Sequence, residues 1–365
     1  MTKIQLRNLW FQVHKWIGLI LAVLIIPISL TGAILVWHEP IEDAMHPARH
    51  AVAGPGTLAP SVYADAARAA LGKGDALTRM EIPGKAGEPV VASATKVGPG
   101  RPQRVTLYLD PADGHVIDRE KSGEGIFQFF HQLHGSLLVP GAGRPIVGWI
   151  GVAMLISSLT GIWLWWPVTG SVRRGFRWKR HPNLDNKLHY MLGFWISLPL
   201  FVLSLTGVWI SFPQVFAGFD GAQRGPDRGA MMRAKPLAAP VTPLATAVEH
   251  ALAAAPGRVA AVSWPTDLRA EWAIDVAPAK GRPASVAVRD ADGVAKVAAP
   301  QGPQHTTLAR LMRQIHDGSD MGLLWQMIIF LGGLIPAALA VTGIIMWWRA
   351  RKWRGEVAAR KRAVS

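Results

Sequence analysis

The sequence predicts an α-helical membrane protein: a four-helix transmembrane bundle made from a duplicated two-helix unit, with two small α+β extracytoplasmic modules. Three observations predict it. Four apolar stretches are long enough to cross a bilayer, a Thr-Gly pair recurs in each of them, and two long polar segments, 38–145 and 213–322, lie between the first and second stretch and between the third and fourth.

The apolar stretches are Trp16–Trp37, Ile146–Trp166, Leu188–Phe212 and Leu323–Trp348, and none contains Lys, Arg, Asp or Glu. About 20 apolar residues rising 1.5 Å each cover a ~30 Å hydrocarbon core. Trp10, Trp16, Trp37, Trp149, Trp165, Trp166, Tyr190, Trp325, Trp347 and Trp348 crowd the ends, as an interfacial aromatic belt does. The first stretch follows Lys3, Arg7 and Lys15 in the manner of a signal peptide. Its apolar run exceeds the roughly 7–15 residues of such a segment, and it has a counterpart inside the chain, so a retained helix is expected.

The net charge of +15 is concentrated. Segments 1–16, 167–188 and 349–365 hold three, six and seven basic residues against none, one and one acidic, which is +14 of the +15. Charge confined to short pieces flanking spans is a topology signal, not a nucleic-acid footprint. It places residues 1–15, the linker 167–187 and the tail 349–365 in the cytoplasm and the two long segments outside, across a bacterial inner membrane. The linker stretch Arg173–Lys187 is read as lying against anionic headgroups, with docking of a cytoplasmic electron donor as the alternative. There are no cysteines. Disulfides, iron–sulfur clusters, thioether-attached haem and thiolate zinc are thereby excluded, while noncovalent b-type haem is allowed.

In segment 38–145 a helix is expected over Pro60–Leu71, with strands at Val90–Thr95, Arg104–Leu109 and His115–Arg119 around the turn Asp110–Gly114. In segment 213–322 a helix is expected over Pro243–Ala255, with strands at Arg258–Trp264, Glu271–Val276 and Ala284–Arg289 before the turn Asp290–Gly293. Ala51–Pro60, Gly98–Pro102 and Gly221–Pro240 read as mobile Pro-, Gly- and Ala-rich loops. Pro140–Pro145 argues against one straight helix from His134 into the second span, so a separate amphipathic segment, Ile126–Leu138, is expected.

The repeat has a fixed metre. The Thr-Gly pairs are Thr31-Gly32, Thr160-Gly161, Thr206-Gly207 and Thr342-Gly343. His14 precedes Thr31 by 17 positions and His189 precedes Thr206 by 17; His134 precedes Thr160 by 26 and His316 precedes Thr342 by 26. Two spans per unit give a parallel repeat about an axis along the membrane normal. That axis relates His14 to His189 and His134 to His316, as pairs able to clamp a haem iron through both axial positions. The alternative is that all four are ordinary polar caps in the headgroup zone.

The HKWIG opening (His14 to Gly18), the recurrent SLTG (Ser29 to Gly32, Ser158 to Gly161, Ser204 to Gly207) and FHQLHGSLL (Phe130 to Leu138) resemble the PepSY-associated transmembrane family, and the strand–DxxDG–strand pieces are similar to PepSY domains. The likeness covers nearly the whole chain. Members of that family include inner-membrane siderophore reductases with two haems. The resemblance therefore implies iron acquisition: electrons from a cytoplasmic reductase or quinol reach a periplasmic ferric siderophore or other iron chelate through two b-type haems. The two PepSY-like modules would cover the outer haem and shape the substrate pocket.

Other residues carry weaker signals. His131 sits one turn before His134, but its equivalent is Arg313, so it lacks the symmetry argument; Arg313 suits a haem propionate. His38, opposite Pro213 of the second copy, either lines the outer haem or a substrate site or is solvent-exposed. The Thr-Gly pairs either permit close helix approach or offer flat glycine faces to the porphyrins. Met321 is a fallback ligand. No HExxH, GxSxG, P-loop or dinucleotide fingerprint is present, so electrons must come from a separate donor. The rival from another class is a noncatalytic membrane sensor or transporter accessory whose PepSY modules bind a peptide, a partner or a metal.

Overall fold

A computed structural model describes residues 2–52, 54–96, 103–121, 125–166, 182–220, 234–279, 283–298 and 307–364. The chain divides into two compact units, a helical one (1–38, 126–222 and 306–365) and a sheet-bearing one (39–125 and 223–305). Gly98–Pro102, most of Gly221–Pro240, the linker from Arg173 to His181, and His305 lie outside the described residues.

Four helices of the helical unit are long and apolar enough to cross a membrane: α1 (Lys3–Val36), α5 (Gly143–Trp165), α6 (Leu184–Ser211) and α10 (Leu323–Val364). Only 22–28% of each apolar window is buried inside the protein. Large side chains such as Val23 (76% exposed) and Leu324 (78%) point outward, a surface that belongs in lipid. α1 starts with a reciprocal capping box between Thr2 and Gln5. α1 and α10 extend beyond the apolar runs, at the end of α1 holding Lys3 and the end of α10 holding Arg362.

Small residues set the helix crossings. A Cβ on Gly333 of α10 would lie 2.6 Å from the Ser29 carbonyl of α1, and one on Gly151 of α5 would lie 2.9 Å from Val208 of α6. These backbones meet only because glycine has no side chain. Arg7 of α1 reaches the last carbonyls of α5, bonding Trp166 O at 3.1 Å and Leu164 O. Arg144 likewise bonds Ile210 O near the end of α6. Both guanidiniums satisfy carbonyls that a helix end leaves unpaired.

Each apolar helix of the second kind is preceded by a short one. α4 (Ile126–Ser136) precedes α5, and α9 (Leu308–Asp317) precedes α10. The break after α4 is sharp: Leu137, Leu138 and Gly141 all have positive φ, and a Cβ on Gly143 would fall 1.9 Å from the Ser136 carbonyl. α9 starts at an N-cap, Thr307, and stops at the left-handed Gly318. Trp325 Nε1 then ties α10 back to Ile315 O at 2.8 Å.

The sheet-bearing unit differs from expectation. In place of two separate modules, eight strands form one antiparallel sheet in the order β4-β3-β2-β1-β5-β6-β7-β8. These are β1 (Asp75–Glu81), β2 (Val90–Lys96), β3 (Arg104–Leu109), β4 (Val116–Lys121), β5 (Arg258–Ser263), β6 (Glu271–Ala277), β7 (Ala284–Arg289) and β8 (Ala295–Val297). The seam is β1 against β5, with Met80 opposite Val262. An open strand edge is a liability, and each four-strand half covers the other's. α3 (Pro60–Ala70) and α8 (Leu244–Ala254) pack on this sheet, where Tyr63, Met80, Leu107, Trp272 and Ile274 share one buried core. α2 (His38–Met45) and α7 (Pro213–Phe216) follow α1 and α6 directly.

Candidate functional site

His14, His134, His189 and His316 are seated by one rule. His14 Nδ1 lies 3.1 Å from Ser157 O on α5, His134 Nδ1 2.8 Å from Ile28 O on α1, and His316 Nδ1 3.1 Å from Leu203 O on α6. His189 bonds the Leu339 backbone on α10. In every case the residue accepting the bond stands three places before a Thr of a Thr-Gly pair. A carbonyl can only accept, so each Nδ1 carries the proton and each Nε2 keeps a lone pair.

The threonines and glycines finish the seat. Thr160, Thr206 and Thr342 hydroxyls stand 3.0 Å from the Nδ1 of His14, His316 and His189. All four threonines also donate to their own helix, as Thr31 does to Pro27 O at 2.7 Å. The space over each glycine is filled by an imidazole. A Cβ on Gly32 would lie 2.7 Å from His134 Cε1, on Gly207 3.2 Å from His316, on Gly161 3.3 Å from His14 and on Gly343 3.6 Å from His189. These glycines, expected to offer flat faces to a porphyrin, each lie against an imidazole ring.

Each imidazole is anchored within its own half of the chain and meets a ring from the other half. His14 and His189 have centroids 6.4 Å apart at 87°, and His134 and His316 have centroids 6.0 Å apart at 45°. Two imidazoles bonded to one metal at roughly 2.0–2.1 Å each put their centroids on the order of 6 Å apart. Both pairs have the centroid spacing of two imidazoles that share a metal. Along α1, His14 and Ile28 (where His134 docks) are about 21 Å apart at 1.5 Å per residue. The two pairs thus sit at opposite ends of the bundle.

The remaining candidates divide. His131 is exposed and does not join the His134–His316 pair; its ring packs against His38, 5.9 Å away at 88°. Arg313 is exposed on α9, three residues before His316. Met321 is 42% exposed. Among the described residues no group of three or more His, Cys, Asp or Glu side chains is gathered for a metal.

The sheet-bearing unit holds a feature that motif reading missed. A cavity of about 750 Å³ is lined by seven carboxylates against two arginines, Arg49 and Arg79. Arg49 is 6% exposed; it bonds Asp118 at 2.7 Å and Glu120 at 3.3 Å and stacks on the Tyr108 ring at 3.8 Å. Burial, then the Glu120 charge, pushes the Tyr108 phenol up to about 12. For Asp118 burial acts upward, but the Arg49 guanidinium and the Arg119 amide outweigh it and hold the carboxyl below its ordinary value. Arg79 straddles the seam, bonding Ser263 Oγ on β5 at 3.0 Å and Asp275 on β6 at 3.3 Å. The alternation of strand residues hinted at a second, polar face; the inward turn of Arg49 from the segment after α2 had no such signal.

The PepSY-associated TM region, as a family model, matches residues 11–350. The chain belongs to this family. The match takes in all four apolar helices and all four paired histidines, so this is a membrane protein of the PepSY-associated kind. No curated protein matches the chain.

Proposed function

We propose that this PepSY-associated protein is an inner-membrane di-haem b reductase. It takes electrons from the cytoplasmic side or the quinol pool and delivers them to a periplasmic acceptor, a ferric siderophore or similar chelate, for iron acquisition. The observation that carries the reading is the seating of four neutral imidazoles as two facing pairs at opposite ends of the bundle. His14 and His189 would hold one haem, His134 and His316 the other. Iron porphyrin held by two histidines supplies reversible one-electron chemistry at a potential tuned by its surroundings.

The chain's own residues do the positioning. Carbonyls of Ile28, Ser157, Leu203 and Leu339 fix each tautomer and ring orientation, the outer-shell role that metal-binding histidines require. Gly32, Gly161, Gly207 and Gly343 let the rings approach the helices. The basic ends of α1 and α10 support a cytoplasmic side for the His14–His189 pair by the positive-inside rule, with His134–His316 towards the periplasm. Iron in a siderophore is held far more weakly once ferrous, so reduction releases it.

Purified full-length protein decides the matter. Reduced-minus-oxidised absorption with b-type bands, and oxidation of the reduced protein by ferric siderophores under anaerobic conditions, are expected. Colourless protein after haem-sufficient expression would overturn the reading in favour of a noncatalytic sensor or accessory.

A further inference from the structure

We propose that His38 and His131 form a third two-imidazole site, which binds a small divalent first-row transition-metal ion. His38 is the first residue of α2, and His131 lies on α4. Neither has a histidine counterpart in the other half, yet each has the other. Their centroid separation of 5.9 Å stands beside the 6.4 Å and 6.0 Å of the repeat pairs. His38 Nδ1 donates to Leu35 O at 2.8 Å and His131 Nδ1 to Phe127 O at 3.2 Å. Both tautomers therefore leave Nε2 with a lone pair for a metal. The Phe127 ring packs edge-on against His38 at 6.2 Å.

The donor set selects the ligand. Neutral imidazoles without thiolate suit divalent iron, cobalt, nickel, copper or zinc. With only two such side chains gathered among the described residues, the rest of the coordination sphere falls to water or an incoming ligand. His38 is half-buried and His131 exposed, so an ion there can exchange with solvent. A macrocycle is the wrong size. His131 and His134 are three apart on one helix, where Cβ atoms lie about 5–6 Å from each other, too close for each to hold its own porphyrin. That exclusion rests on the haem proposed at His134; the metal site itself does not.

The test is equilibrium dialysis of the full-length, haem-replete protein, purified without a polyhistidine tag, against Ni²⁺, with bound metal measured by mass spectrometry. One Ni²⁺ per chain is expected. His38→Ala and His131→Ala should each weaken it at least tenfold, with haem content and spectrum unchanged, while His115→Ala keeps the parent affinity. Parent-like Ni²⁺ binding in both variants would overturn the proposal. So would loss of haem in His131→Ala, which would make that residue an axial ligand. A colourless protein that still shows the Ni²⁺ difference would sink the haem reading and leave this site standing.

Discussion

The helical and sheet-bearing units pair most of their histidines differently, although His250 of the sheet-bearing unit also bonds a backbone carbonyl, Gly293 O, at 2.7 Å. In the helical unit, His14, His134 and His316 bond backbone carbonyls and are left neutral with a lone pair. In the sheet-bearing unit, His46, His50 and His115 stand beside Asp118, Asp43 and Asp113 at 3.4, 3.1 and 2.7 Å. The buried polar side chains differ too, although each unit buries both neutral and charged groups. Thr31, Ser158, Thr160, Ser204 and Thr206 are neutral, whereas Arg49 is a charge tied to carboxylates. An unpaired charge in hydrocarbon is costly, and the charged side chain buried in the helical unit, Asp185 in the first turn of α6, is paired with Arg349 at 2.8 Å. The lesson is that a histidine's partner, not its abundance, separates the carbonyl-bonded rings from the carboxylate-paired ones.

The largest test of this contrast removes the rings. His189→Ala or His316→Ala should each abolish about half of the bound haem, measured as pyridine haemochrome, while His46→Ala and His115→Ala leave it intact; full haem in either of the first two would refute the ligand assignment. A finer test uses the glycine seats. Gly32→Ala places a Cβ 2.7 Å from His134 and should weaken retention of one haem at least tenfold, whereas Gly343→Ala, at 3.6 Å from His189, should retain both. Equal behaviour of the two would show that the seats do not discriminate.

On the sheet side, Arg49→Leu strips partners from Asp118 and Glu120. Charged hydrogen bonds of this kind are worth about 2 kcal/mol together once partial exposure of the acids is allowed for. A lowered unfolding temperature with unchanged haem content is expected. The smallest effect is on pH. Asp118 is held below its ordinary value, so its bond to Arg49 contributes stability above about pH 3.9 and loses it as pH falls through the lower folded value. Asp118→Asn should flatten that part of the stability profile, and an unchanged profile would remove Asp118 from the account.

Much of this architecture was legible in the residues. Apolar length marked the four membrane helices, because burial in lipid leaves no polar face to interrupt them. Pro140 to Pro145 correctly separated α4 from α5. The joined sheet was not legible: β1 (DALTRME) carries charge at Asp75, Arg79 and Glu81, which face partners rather than solvent alone, so its alternation is weak. β8 is three residues long and below any periodicity signal. The β1–β5 seam joins residues some 180 positions apart, which no local pattern encodes. Thr-Gly recurrence announced a role for small residues, but that the glycines receive imidazoles needed coordinates. The symmetry that drew attention to four histidines also discounted His38 and His131, because each was compared with its counterpart and not with the other.

One consequence follows from the way each ring is fastened at home and faced from abroad. While the chain is being synthesised, the N-terminal portion can offer only solitary imidazoles, His14 and His134, with nothing opposite them. Under the proposed ligand assignment, His14 is met once α6 brings His189, whereas His134 must wait until α9 brings His316. Full pigmentation would then mark finished molecules, and a chain truncated after α6 would carry at most one of the two proposed haems.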